Sequence, residues 1–124
     1  YDAIMIKDNH LSIWSKKNNK KIYDAVEISK KLYPNYKIQV EVDTISQLKD
    51  VITSKPDWVL LDNMTLDDLR DAVKICSGIC KTEASGGITI DTIKDIAATG
   101  VNAVSIGVLT HSVSSIDLGL DFII

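Results

Sequence analysis

WVLLDNMTLDDLRDAVKICSGIC, residues 58–80, decides the fold. Its first five residues, Trp58–Asp62, form a short apolar run that ends on a carboxylate. After that the period changes. Leu69, Ala72, Val73 and Cys76 recur at three- and four-residue spacing, as the buried face of a helix requires. Thr65 and Asp68 form a capping pair in front of it. A strand followed directly by an amphipathic helix is one βα unit, with the helix expected over Leu66–Cys80.

The same unit recurs along the chain. Strands are predicted at Ala3–Lys7, Lys37–Asp43, Trp58–Asp62, Thr82–Gly86 and Ala103–Gly107. Helices are predicted near Lys21–Tyr33, Ile45–Ser54, Leu66–Cys80, Ile90–Thr99 and Ile116–Phe122. Thr44 and Thr89 are placed to cap the second and fourth helices, and Gly100 to end the fourth in a left-handed turn. Alternating strands and helices imply an α/β fold with a parallel sheet and right-handed crossovers. A closed eight-fold barrel takes about 250 residues, and this chain has 124. The expectation is a partial, open β/α barrel of parallel strands that lacks its N-terminal portion. Its unpaired strand edges predict self-association or instability. A small α/β domain that stands alone is the alternative.

Composition narrows the function. Fourteen basic and seventeen acidic residues leave a formal charge of −3, which disfavours nucleic-acid and anionic-membrane surfaces. The cluster Lys16, Lys17, Lys20 and Lys21 is short and reads as a solvated loop and helix start. No apolar run approaches the ~20 residues of a membrane-spanning helix. Arg70 is the only arginine, so a multi-arginine anion clamp cannot be completed by these residues. Cys76 and Cys80 are the only cysteines and read as small buried thiols, consistent with a cytoplasmic setting. The chain opens on Tyr1, without methionine or a leader pattern, and a longer parent chain is the expectation. No dinucleotide fingerprint, phosphate-binding P-loop or nucleophile elbow is present.

In parallel α/β sheets functional groups gather at the carboxyl ends of strands. Here those ends carry Lys7, then Glu41 with Asp43, then Asp62, then Ser85-Gly86-Gly87, then Ser105-Ile106-Gly107. Glu41 and Asp43 share a strand face because residues two apart point the same way. Glycine turns let backbone N–H groups approach an anion, and a following helix start would add positive potential. Carboxylates crowded at one rim call for a cation, and magnesium held by one or two acids plus substrate phosphates is the usual arrangement. This assigns Glu41 and Asp62 as metal ligands. Lys7 offers positive charge to a carboxylate or pyrophosphate. His10 and His111 both follow strand ends, and His111, beside the Gly107 turn, is the better placed.

Taken in order, MIKDNH, VEVDT, LLDNM, EASGGI and SIGVLTHS resemble the quinolinate phosphoribosyltransferases, from Ile4 to Phe122. The closing DLGLDF resembles that family's C-terminus. The resemblance implies that residues 1–124 are the C-terminal portion of a phosphoribosyltransferase barrel domain. It implies conversion of quinolinate and phosphoribosyl pyrophosphate to nicotinate mononucleotide, pyrophosphate and CO2 in NAD biosynthesis, with Mg2+ as cofactor. By motif position, Lys7, Glu41 and Asp62 are implied as catalytic. Substrate contacts are implied for the same three residues and for Ser85, Gly86, Gly87, Ser105, Gly107 and His111. The family's quinolinate clamp of arginines, histidine and lysine precedes this stretch, so these residues are expected to be inactive alone. A homo-oligomer is implied for the longer chain. Two other readings stay open: a related nicotinate phosphoribosyltransferase-like enzyme, or a non-catalytic phosphate-binding or dimerisation module.

Overall fold

The computed structural model describes residues 3–7 and 22–107. His10, His111, the lysine cluster at 16–21 and the expected helix Ile116–Phe122 lie outside the described residues. Strands β1 (Ala3–Ile6), β2 (Lys37–Val42), β3 (Trp58–Asp62), β4 (Lys81–Ser85) and β5 (Ala103–Val104) alternate with helices α1 (Ile22–Leu32), α2 (Ile45–Ile52), α3 (Leu66–Cys76) and α4 (Ile93–Ala97). The strands form one sheet in the order β1-β2-β3-β4-β5, and every neighbouring pair is parallel. Strand order follows chain order without reversal, so right-handed crossovers place every helix on one face. This is the arc of a β/α barrel and not a doubly wound sheet, as the alternating pattern predicts.

The two-residue strand period then sorts the side chains. Ile38, Val40 and Val42 of β2, Val59 and Leu61 of β3, and Thr82 and Ala84 of β4 face the helices and are buried. They pack with Val26, Leu48, Val51, Leu69, Ala72, Cys76 and Ile96 into one core. The other face carries Lys37, Gln39 and Glu41, then Trp58, Leu60 and Asp62, then Lys81, Glu83 and Ser85.

Local signals set the helix ends. Thr44 caps α2 in a full capping box, accepting from the Gln47 N–H while Gln47 accepts from the Thr44 N–H. Thr65 caps α3, accepting from the Asp68 N–H at 3.2 Å. Gly78, at φ +74, turns the chain away from α3, which ends at Cys76 and not at the expected Cys80. Lys55, at φ +49, follows the early close of α2. The largest departure is α4, which spans Ile93–Ala97 and not Ile90–Thr99. Thr89 does not cap it. The Thr89 N–H donates to Thr92 Oγ1, and residues 89–92 close into a turn before the helix begins. Gly100, at φ +93, does not cap that helix directly: it closes the turn of residues 98–100 that follows the C-cap Ala98.

β5 is two residues long because a side chain replaces part of its ladder. Asn102 Oδ1 accepts from the Thr82 N–H at 2.8 Å, and the Asn102 N–H donates to Thr82 O at 2.9 Å. At the amino ends of the strands, Asp57 ties three of them together. Its Oδ2 accepts from Ile38 N–H and its Oδ1 from Lys37 Nζ, both at 2.9 Å, while its carbonyl accepts from Lys81 N–H. Partial burial alone would raise this carboxyl. The Ile38 N–H, the Lys37 ammonium and the charge of Lys30 outweigh burial and hold it below its usual 3.8.

The packing sets two expectations for stability. Leu48 is fully buried, and Leu48→Ala should lower unfolding free energy by about 2–5 kcal/mol in a denaturant titration. The Asp57 carboxylate stabilises the fold above its unfolded pKa, and that stabilisation disappears as pH falls through the depressed folded value. Asp57→Asn should therefore melt lower than the parent at neutral pH and show a smaller further loss on acidification to about pH 2.

Candidate functional site

The carboxyl ends of β2 and β3 bring three acids together. Carboxylate oxygens of Glu41, Asp43 and Asp62 lie within 4.8 Å of one another. Glu41 and Asp62 are half-buried and Asp43 is exposed. The β2–β3 register pairs Glu41 with Leu60, so the chain two residues on places Asp43 level with Asp62. Like charges this close repel, and a divalent cation would relieve them. The donor set, three hard carboxylate oxygens, also suits magnesium better than a thiophilic metal.

Asp62 is held in place from two sides. Its Oδ1 accepts from Ser85 Oγ at 2.7 Å and its Oδ2 from Asn63 Nδ2 at 2.9 Å. Asn63 adopts a left-handed conformation, φ +51, and its N–H donates to Ser85 O at 3.0 Å. The turn after β4 is therefore packed directly onto the turn after β3. Gly86 is required there twice over. Its φ is +86, and a Cβ would sit 2.3 Å from Asn63 Oδ1 and 2.9 Å from the Asn63 backbone nitrogen. Gly87, at φ +59, faces open space. Two successive left-handed glycines let the backbone pass close to a ligand at this point.

The helix contribution expected behind this turn is absent. α4 begins six residues after Gly87, has five residues, and its cap residue Thr92 makes no side-chain capping bond. An anion at Ser85-Gly86-Gly87 would meet backbone groups of the turn and no helix start.

The other expected residues distribute as follows. Lys7 is exposed and directly follows β1. The β1–β2 register, continued by one residue, sets it level with Glu41 and on the same face. Ser105 follows β5, with its N–H bonded to Ala84 O at 2.9 Å. Gly107 is exposed in the turn beyond, with open space where a Cβ would lie. His111 lies outside the described residues.

Sequence reasoning missed Glu83. Its Oε2 accepts from Gln39 Nε2 at 2.7 Å, and its Oε1 accepts from Ser105 Oγ. The residue thus joins β2, β4 and the start of the last turn, one layer below Asp62. Alternation with Ser85 was the available signal, since both lie on the site face of β4. The role of Asn63 was also missed, although asparagine is among the few residues that enter the left-handed region readily.

The described residues also line cavities on the site face and at the far end of the sheet. One of about 190 Å³, lined by Ala3, Gln39, Trp58 and Glu83, lies on the site face. A groove of about 490 Å³ opens at the opposite end of the strands, among Lys37, Asp57, Trp58, Cys80 and Lys81. Two of its lysines are already engaged, Lys37 with Asp57 and Lys81 with the Trp58 ring, 5.4 Å from its centroid. Cys76 is buried and Cys80 half-buried, both as free thiols. Contact with Cys80, then burial, pushes the Cys76 thiol up, while the Cys76 contact holds Cys80 below its ordinary value against the effect of burial. Among the described residues, no helix is long and apolar enough to cross a membrane.

The chain is similar to known proteins in both sequence and fold. The family model described as quinolinate phosphoribosyl transferase, C-terminal domain, matches residues 1–121. A probable nicotinate-nucleotide pyrophosphorylase [carboxylating] of Bacillus subtilis is 38% identical over 122 residues, covering 98% of this chain and 40% of the relative. The solved nicotinate-nucleotide pyrophosphorylase of Francisella tularensis superposes with a TM-score of 0.78 at 38% identity, covering 94% of this chain and 39% of that one. A thiamine phosphate pyrophosphorylase of Pyrococcus furiosus, 18% identical, shares the fold with a TM-score of 0.65, covering 85% of this chain and 48% of that one. The chain thus spans about two-fifths of the length of its closely matching relatives. With the family model running from Tyr1 to Asp121 and the β/α arc superposing on a solved member, this chain belongs to the quinolinate phosphoribosyltransferase family, as its C-terminal domain.

Proposed function

We propose that this chain supplies the phosphoribosyl pyrophosphate half of a quinolinate phosphoribosyltransferase site. The complete reaction joins quinolinate to phosphoribosyl pyrophosphate and yields nicotinate mononucleotide, pyrophosphate and CO2. The observation that carries this reading is the cluster of Glu41, Asp43 and Asp62 beside a glycine turn locked against Asn63. Glu41, Asp43 and Asp62 would hold Mg2+, which neutralises charge on the leaving pyrophosphate.

The chain's own residues do the rest by electrostatics. Loss of pyrophosphate leaves positive charge on the ribose ring, and carboxylates fixed beforehand stabilise it without reorganising. Asp62 is fixed in this sense by Ser85 and Asn63. Backbone groups at Gly86 and Gly87 receive phosphate, and Lys7 supplies a cation at the same rim. Gly107 extends the phosphate surface at the end of the sheet.

What the described residues do not supply is a grip for the two carboxylates of quinolinate. Arg70, the only arginine, sits on α3 and pairs with Asp67 at 2.7 Å, away from the strand ends. A dicarboxylate pyridine needs cations beyond those that the described residues present at this rim. We place the reaction in the cytoplasm, where free thiols such as Cys76 and Cys80 persist.

Titration calorimetry tests this directly. The chain should bind phosphoribosyl pyrophosphate in the presence of magnesium and lose about tenfold or more in affinity when magnesium is chelated. Asp62→Asn should abolish that metal dependence. Binding indifferent to magnesium would instead support a phosphate-binding module without the catalytic role. Gly86→Ala should weaken binding and its metal dependence together, since its Cβ displaces Asn63, which holds Asp62. The chain alone should form no nicotinate mononucleotide, whereas the chain fused behind the remaining part of the Bacillus subtilis relative should form it.

A further inference from the structure

The two cysteines take no part in the chemistry of the rim and lie toward the other end of the sheet. Cys76 is the last residue of α3 and is 1% exposed, while Cys80 stands just before β4 and is half-buried. The turn between them folds back on itself. The Cys80 N–H donates to Cys76 O at 3.1 Å, and the Ile79 N–H donates to the same oxygen at 2.9 Å. A backbone bond from Cys80 back to Cys76 spans one helical turn, ~5.4 Å. Disulfides join residues whose Cα atoms are ~4.4–6.8 Å apart. Gly78, at φ +74, allows this tight return, and the two thiols meet as hydrogen-bonding neighbours.

Their surroundings differ. Cys76 belongs to the hydrophobic core, whereas Cys80 lines the groove of about 490 Å³ at the amino ends of the strands. Lys37, Lys55 and Lys81 line the same groove against a single carboxylate, Asp57. Basic surroundings favour the thiolate, which is the reactive form of cysteine, and apolar burial favours the thiol. The contact between the two sulfurs acts in the same sense, lowering Cys80 and raising Cys76. The pair is therefore ordered, with an outer thiol that a small solute can reach and an inner thiol placed behind it.

We propose that Cys80 and Cys76 form a dithiol that hydrogen peroxide oxidises reversibly to a disulfide, Cys80 reacting first and Cys76 resolving. The Cys80 thiolate, its proton given to solvent, attacks one peroxide oxygen. The S–O bond forms, the O–O bond breaks, and the departing hydroxide takes up a proton as water, leaving a sulfenic acid. The Cys76 sulfur then attacks the Cys80 sulfur. The S–S bond forms, the S–O bond breaks, and hydroxide leaves with the Cys76 proton as a second water. The two thiols lose two electrons and the peroxide gains them. A dithiol reductant reverses the bond by exchange, and transient disulfides of this kind occur in the cytoplasm. The proposal stands apart from the phosphoribosyl pyrophosphate reading, since the acid cluster occupies the opposite ends of the strands.

Hydrogen peroxide added to the purified chain tests it. The intact mass should fall by two hydrogens, about 2 Da, and dithiothreitol should restore it. Peptide mapping should place the new bond between Cys76 and Cys80 of one chain. Dimedone, which captures sulfenic acids, should label Cys80 and not Cys76 when present during oxidation. In Cys76→Ala that label should accumulate, because nothing resolves the sulfenic acid. In Cys80→Ser the remaining thiol should react about tenfold or more slowly than Cys80 does in Cys76→Ala. Should Cys76→Ala fail to fold, dimedone labelling of the parent carries the same test of order. Disulfides between chains in place of the internal bond, two unreacted thiols, dimedone on Cys76, or Cys80→Ser oxidising as fast as Cys76→Ala would each overturn the proposal. None of these outcomes bears on phosphoribosyl pyrophosphate binding, so the two readings fall separately.

Discussion

Every strand in this sheet lies parallel to its chain neighbour, and right-handed connections then force all the helices onto one face. That constraint organises the rest of the molecule. It fixes which alternate residues form the core and which form the site. A one-residue slip of β2 would send Val40 to the open face and Glu41 into the core. Full burial of Ile38, Val40 and Val42 holds the register, and so holds Glu41 and Asp43 beside Asp62.

The two ends of the sheet do different work. At the amino ends, Asp57 is paired with a backbone N–H and a lysine and joins β2, β3 and β4. At the carboxyl ends, acids are brought close to one another, an arrangement that a bound cation would favour. The turns there adopt left-handed conformations at Asn63, Gly86 and Gly87. The left-handed non-glycine residue at the rim, Asn63, lies beside the acid cluster, where functional sites commonly place such conformations.

Much of this was legible from residue order because it rests on local rules. Period-two runs and helical spacing located all five described strands and all four described helices. Thr44 and Thr65 marked their helix ends because capping needs only residues a few positions apart. Thr89 misled for the same reason: Thr92 offered its hydroxyl to the Thr89 N–H, and a turn formed where a helix was expected. Long-range contacts were not legible. Nothing local says that Gly86 must pack on Asn63, twenty-three residues earlier, or that Glu83 bridges Gln39 and Ser105. Asp43 joined the acid cluster through the register between two strands, which spacing within one strand does not give.

The central claim is that Glu41, Asp43 and Asp62 form a divalent-cation site facing the Ser85–Gly87 turn. Manganese, a paramagnetic substitute for magnesium, tests it by broadening nearby amide resonances in a 15N-labelled sample. The account predicts selective broadening at residues 41–43, 62–63 and 85–87 at low manganese, removed by Asp62→Asn. Broadening centred instead on the exposed acids of α3, Asp67 and Asp71, and unchanged in Asp62→Asn, would contradict it.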